Sequence, residues 1–276
     1  MTQGRERLIG HAIMLVLAAC ATLPTLALLL LAFTPSDAGG AGVSLPHKLT
    51  LDNFRSAWNA GTGMAGYLAI SAFITAIVVA ATVILSTLAG YALGTMRFPG
   101  SRIISTMFLF GVIMPVEGTI IPIFYDLRSV HLDGTVWAVI LAQTALMVGF
   151  GTFWMRAAFR SMPSALIDAA RMDGASHIRV LRTILLPLAR PSLLALVALV
   201  LTWTWNEFLL ALVLLASTTA DLRTAPLALG LFQSQESVDI NGLAAAAVVV
   251  AIVPIAAFLA LQRHFVQGLT TGATVE

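Results

Sequence analysis

The chain has 276 residues, of which 10% are Asp, Glu, Lys or Arg and 59% are apolar, against about 25% charged residues in a soluble domain. Mean hydropathy is +0.94 and the isoelectric point about 9.1, yet net charge is only +2 and no basic run interleaves with aromatics. These values exclude a disordered chain, an ordinary water-soluble enzyme and a basic nucleic-acid binder, and they put most side chains in a bilayer.

A helix crossing the hydrocarbon core needs about 20 apolar residues. In chain order such stretches cover 8–33, 66–93, 103–125, 135–157, 193–215 and 243–261. The first opens with Arg5-Glu6-Arg7 and passes Leu17-Ala18-Ala19-Cys20, the pattern of a lipoprotein cleavage box. The apolar run continues to Leu31, too long for a signal peptide, so an uncleaved helix is expected. Residues 34–65 form the longest loop, broken by Pro35, Gly39, Gly40, Gly42 and Pro46. Within it, 49–54 reads as an extended stretch leading to an interfacial helix with Trp58. A second long loop covers 217–241.

The cations set the topology. The N-terminal tail, the 2–3 and 4–5 connections and the C-terminal tail (262–276) hold Arg5, Arg7, Arg97, Arg102, Arg156, Arg160, Arg171, Arg179, Arg182, Arg190 and Arg263. The other segments hold Lys48, Arg55, Arg128 and Arg223. By the positive-inside rule the first group faces the cytoplasm, as do both termini, and 34–65 lies outside. The expected fold is all-α: a polytopic membrane protein with six transmembrane helices.

Chemistry is sparse. Lys48, the sole lysine, stands between His47 and Leu49, so the chain lacks a G-x-x-x-x-G-K-[ST] phosphate loop. Cys20 is alone, which excludes an intrachain disulfide or a Cys-rich metal site. His11, His47, His131, His177 and His264 form no pair at metal-ligand spacing, and no catalytic triad is readable.

The 4–5 connection, 158–190, is the least membrane-like part. Ser161 and Pro163 read as a helix start, and Asp173-Gly174 as a stop and turn. A second short helix over 175–184 follows, and Pro187 and Pro191 break the chain before the fifth span. Ala165, Ala169 and Ala170 put small side chains on the first helix. Such a hairpin suits a groove on another protein; it equally suits a solvated connector whose charge sets topology. The residues alone leave both open.

The string Asp168-Ala169-Ala170-x-x-Asp173-Gly174-Ala175, then Ile184-x-Leu186-Pro187, resembles the EAA loop of bacterial ABC-importer permeases, with Asp in place of the leading Glu. Phe98-Pro99-Gly100, the run Thr204-Trp205-Asn206-Glu207-Phe208-Leu209 and the tail from Gln262 to Ala273 resemble carbohydrate-uptake permeases, notably the six-helix partner of the maltose-type transporter. This resemblance implies one permease domain over 1–276 in the bacterial inner membrane, importing a sugar or sugar-like solute. It implies a second permease, two copies of a separate ATPase that binds the ATP and Mg, and an extracytoplasmic substrate-binding protein. It makes the hairpin the coupling element, with Gly174 as the turn, Ala169 and Ala170 as the close-approach face, Asp168 and Asp173 as polar anchors, and Ala175 and Pro187 completing the motif. The tail residues Gly268, Leu269, Thr270 and Gly272 then reach the ATPase dimer.

Ionisable groups inside a span are functional candidates. Glu117 lies in the third span beside Pro115, Gly118 and Pro122; Glu207 lies in the fifth, near Trp203 and Asn206. At ~1.5 Å per residue along straight helices, Glu117 lies about 21 Å and Glu207 about 21–24 Å above the cytoplasmic ends. Gln143 enters from the other side to a similar depth. These residues either line a sugar path, with Trp203 as a stacking surface, or bond helix to helix. The competing functions are an ion-gradient-driven secondary transporter, which usually has more spans and matching halves, and a membrane-embedded enzyme, which needs reactive groups clustered at one depth.

Overall fold

The computed structural model describes residues 2–35, 48–216, 222–233 and 238–273, with side chains described for 10–35, 48–216, 222–233 and 238–262. Among the described residues regular structure is helical, apart from one isolated antiparallel bridge between Gln233 and Val238. Among the described residues four segments are long and apolar enough to cross a membrane: Gly10–Phe33, Met64–Thr95, Val136–Arg160 and Ile240–Gln262. Two bent helix pairs raise the number to six if each counts as one span.

The chain divides into two compact units, Met1–Gly66 with Ala228–Ile252, and Tyr67–Leu227 with Val253–Glu276. In the first, α1 (Thr2–Phe33) is followed by α2 (Asp52–Asn59), which carries the half-exposed Trp58. The extended lead-in is shorter than the sequence suggests: α2 already starts at Asp52, whose N donates to the Thr50 hydroxyl at 3.1 Å. The end of α1 is closed by side-chain amides. Buried Asn53 donates to Ala32 O (3.0 Å) and Thr34 O (2.7 Å), while Asn241 donates to Thr34 O and Pro35 O. Carbonyls that a helix end leaves free are thus satisfied without water. Phe33 and Phe54 rings meet at 4.9 Å beside them.

In the second unit, α3 (Met64–Thr95) lies against α6 (Val136–Arg160) at backbone distance. A Cβ on Gly90 would stand 2.7 Å from Met155 Cβ and 2.8 Å from Arg156 N; one on Gly94 would stand 3.3 Å from Arg156 O. Gly90-x-x-x-Gly94 is the small-residue spacing that lets membrane helices touch. Between them, α4 (Ser101–Ile113) and α5 (Val116–Ser129) replace the straight third span: they meet at 104°. Pro115 has no N–H to continue the ladder and forces Met114 out of the helix, to φ −63°, ψ 125°.

The hairpin follows α6. Here the structure corrects the expected start: Ser161 ends α6, its hydroxyl donating back to Ala158 O, and α7 (Ser164–Met172) begins directly after Pro163. Next come α8 (His177–Val180), a π turn over Leu181–Leu185 and α9 (Leu186–Leu188). Pro187 itself lies inside α9, and the break expected before the fifth span comes just after it, between Pro187 and Pro191. The wide turn before Pro187 absorbs the missing N–H and the ring's clash with the preceding turn. The bend comes at Ala189, where α10 (Arg190–Asn206) departs at 79°. The fifth stretch is also interrupted: α10 stops at Asn206, Glu207 is extended (φ −67°, ψ 124°), and α11 (Leu209–Leu214) resumes. After it come α12 (Ala225–Ala228), a 3-10 turn over Leu229–Phe232, and α13 (Ile240–Ala273).

Candidate functional site

Two arrangements in the second unit gather the candidate residues. The first is a cavity of about 230 Å³ lined by Glu117, Gln143, Trp203 and Glu207, with Thr204 and apolar side chains from α5, α6, α10 and α11. Four of the five polar candidates thus share one space. The fifth, Asn206, is not among the lining residues; its amide donates to Thr202 O at 2.8 Å.

Helix interruptions explain why carboxylates are tolerated here. Glu207 accepts from Leu210 N at 2.8 Å and Ala211 N at 3.2 Å, so it holds the first free N–H groups of α11. Glu117 lies in the first turn of α5, just past the bend, where the helix dipole favours a negative charge. Neither sits midway along a straight helix, so depths counted along straight helices do not apply to Glu117 or Glu207. Gln143, 3% exposed, approaches Glu207 with its Nε2 at 3.5 Å, a long contact. Its Oε1 and the hydroxyl of buried Thr204 have no hydrogen-bond partner. Trp203 is 44% exposed and set by an edge contact with Phe150 at 4.9 Å. The cavity therefore offers hydrogen-bond acceptors and an aromatic face.

Thr204 was not readable as a candidate. A hydroxyl inside an apolar helix normally bonds back to the preceding turn, as Thr202 does to Ala198 O, and nothing in the sequence marks Thr204 as different.

The second arrangement is the hairpin. Gly174 has φ +76°, Gly174 N donates to Arg171 O, and Ala175 N donates to Ala170 O, both at 3.0 Å. This paired closure ends α7 tightly and needs the left-handed residue that glycine supplies. Ser176 caps α8 by accepting from Arg179 N at 3.4 Å. Ile167 and Ala170 are buried, in the cluster that includes Tyr91, Phe159, Val180, Leu181 and Leu185. Asp168, Ala169, Asp173 and Pro187 are exposed, and Ala175 is half-buried. The two alanines thus part: Ala170 packs inward and Ala169 faces out. On the outer side Leu166, Met172 and Ile178 are 41%, 88% and 69% exposed. His177 ties the hairpin to α3 and α7, its Nδ1 lying 3.4 Å from Tyr91 Oη and 3.3 Å from Arg171 Nη2. Arginine only donates, so Nδ1 is the acceptor.

The tail candidates Gly268, Leu269, Thr270 and Gly272 lie on the helical backbone of α13, which runs on to Ala273; their side chains are outside the described residues. Among the described residues no cluster of three His, Cys, Asp or Glu forms a metal site.

The fold is that of an ABC-importer permease. It matches a chain of a bacterial ABC transporter involved in the import of the acidic polysaccharide alginate, with TM-score 0.80 over 96% of this chain and 98% of that one, at 21% identity. A chain of the MetNI methionine ABC transporter matches with TM-score 0.60, 17% identity and 78% and 98% coverage. Residues 86–271 fit the family model described as "binding-protein-dependent transport system inner membrane component". The chain belongs to that family, and is a multi-pass inner-membrane permease subunit of an ABC importer rather than an enzyme.

Relatives extend over nearly the whole chain. The osmoprotective compounds uptake permease protein of Synechocystis sp. is 31% identical over 280 residues, 99% of this chain and 93% of that protein. The trehalose transport system permease protein of Mycobacterium tuberculosis is 33% identical over 255 residues, 92% of each. The arabinooligosaccharides transport system permease protein of Halalkalibacterium halodurans is 32% identical, covering 91% and 90%.

Proposed function

We propose that this subunit pairs with a second permease to form the pore of a sugar importer, and that the hairpin 168–187 receives the force of two separate ATPase subunits. The observation that carries the coupling role is the outer side of the hairpin. Leu166, Met172 and Ile178 stand in the open on a hairpin whose other side is packed into the chain's own core. Apolar groups held out this way on a rigid turn mark a docking surface. ATP and Mg belong to the partner ATPase. An extracytoplasmic binding protein delivers the solute, and closure of the ATPase pair biases the permeases between inward-open and outward-open states. The distribution of arginines supports cytoplasmic termini, a cytoplasmic hairpin and a cytoplasmic tail over 262–276 that approaches the ATPases through Gly268, Leu269, Thr270 and Gly272.

A sugar or sugar-like solute fits both the relatives and the cavity. Trehalose and arabinooligosaccharides appear in relatives' names. Glu117 and Glu207 line the cavity as acceptors that a hydroxyl-rich solute satisfies, and Trp203 offers a face for a sugar ring. The test is co-purification followed by uptake in proteoliposomes. The expected result is recovery of a second permease and an ATPase, with sugar uptake that stops without ATP. Uptake by the isolated chain under an ion gradient would overturn the reading in favour of a secondary transporter.

A further inference from the structure

A cluster of unbalanced charge lies away from the polar cavity. Arg97 after α3, Arg102 in the first turn of α4, and Arg156 and Arg160 in the last turns of α6 line one cavity of about 450 Å³. No Asp or Glu lines it. Arg97, Arg102 and Arg160 are exposed; Arg156 is half-buried, and its Nε is shut from solvent without a hydrogen-bond partner. Arg156 lies over the Phe153 ring at 5.9 Å and beside the like charge of Arg160, and a guanidinium with a shut-in, unpaired N–H gains from an anion that joins it. The N-terminus of α4 opens onto the same space: it starts after Gly100 (φ +84°), no side chain caps it, and Ser101 and Ser105 line the wall. Free N–H groups, hydroxyls and guanidiniums together are the donor set of a phosphate site.

We propose that this cavity binds a phosphate group, and that the group is the headgroup of an anionic phospholipid. The cavity's other wall is apolar, formed by Leu93, Leu109 and Phe153. Beyond it α4 presents Ile103, Met107 and Phe110, each 65–68% exposed, at i, i+4, i+7 spacing. That stripe gives acyl chains a rail leading away from the arginines, which a soluble phosphate would not use. Basic pockets between membrane helices at the bilayer surface hold anionic headgroups by this combination. The site joins α3, α4 and α6 next to the start of the hairpin at Ser164, so its occupant braces the base on which the hairpin stands.

The test uses the intact transporter complex in detergent. Thermal unfolding and native mass spectrometry are followed during titration with phosphatidylglycerol, phosphatidylcholine or inorganic phosphate. Phosphatidylglycerol is expected to raise Tm and stay bound, while the other two leave Tm unchanged. Arg102→Gln with Arg160→Gln, both exposed positions, is expected to weaken phosphatidylglycerol binding at least fivefold; Arg156→Gln is expected to weaken it further. An equal Tm rise with inorganic phosphate assigns the site to a soluble anion and overturns the lipid. Equal protection by phosphatidylcholine, or unchanged phosphatidylglycerol affinity in the double variant, overturns the site itself. If that variant instead loses its ATPase at unchanged lipid affinity, the arginines face an acidic protein surface and the proposal fails.

Discussion

The hairpin and the polar cavity solve the same problem in opposite ways. Both contain a helix end whose backbone groups need partners. In the hairpin the chain turns on itself: Gly174 adopts a positive φ, and two backbone N–H groups close α7. At the cavity, α11 begins inside an otherwise apolar stretch, and the carboxylate of Glu207 takes its N–H groups. Where water is available, a backbone conformation suffices. Where it is not, a side chain must act as the acceptor. A carboxylate within a membrane segment is thus first a structural cap, and it also lines the cavity beside the break it caps.

Substitutions test that contrast. Gly174→Pro has the largest expected effect, because proline holds φ near −65° and cannot take the turn. ATPase affinity is expected to fall about tenfold or more, equivalent to about 1.4 kcal/mol, with membrane insertion intact. Normal ATPase recovery on co-purification would break the assignment of the hairpin. Next, Glu207→Ala removes the cap of α11 and is expected to cost about 0.5–2 kcal/mol, read as a lower Tm together with reduced uptake. Glu207→Gln keeps one of the two acceptor oxygens and sets an NH2 against the other N–H, so only part of the Tm should return; full recovery would mean that one oxygen is enough to cap α11. The smallest effect on the folded chain is expected for Met172→Ser with Ile178→Ser. Exposed positions change stability by about 0.5 kcal/mol or less, so Tm should hold while ATPase capture weakens. A Tm fall of several degrees would mean that these side chains pack within the chain.

The sequence was most informative where signals are short-range. Asp173-Gly174 marks the end of α7 correctly because the turn is made by those residues themselves. Ser161 misled, because a hydroxyl before a proline reads as a cap in either direction, and only the fold decides that it donates back to Ala158. The break signalled by Pro187 and Pro191 does fall between them, at Ala189, while Pro187 itself sits in a helical turn that follows a π turn. Hydropathy counted the third stretch as one span, although Pro115 stood in view, because apolarity is blind to a 104° bend. The cavity was half legible. Glu117, Gln143, Trp203 and Glu207 stood out as polar or aromatic groups in apolar segments, yet the breaks that bring the carboxylates to helix starts were invisible. Gly90 and Gly94 carry a signal in their spacing, but it is hard to tell apart from the many other small residues of the apolar segments.

That glycine pair has a mechanical consequence. Helices α3 and α6 touch backbone to backbone there, with no side chain between them to slide or tilt on. Under the coupling role proposed above, a push on α7, which begins four residues beyond Arg160, bears on this close-packed pair. The helices are cut instead at Met114–Pro115 and at Glu207–Phe208, and the second of these is the one whose carboxylate lines the polar cavity.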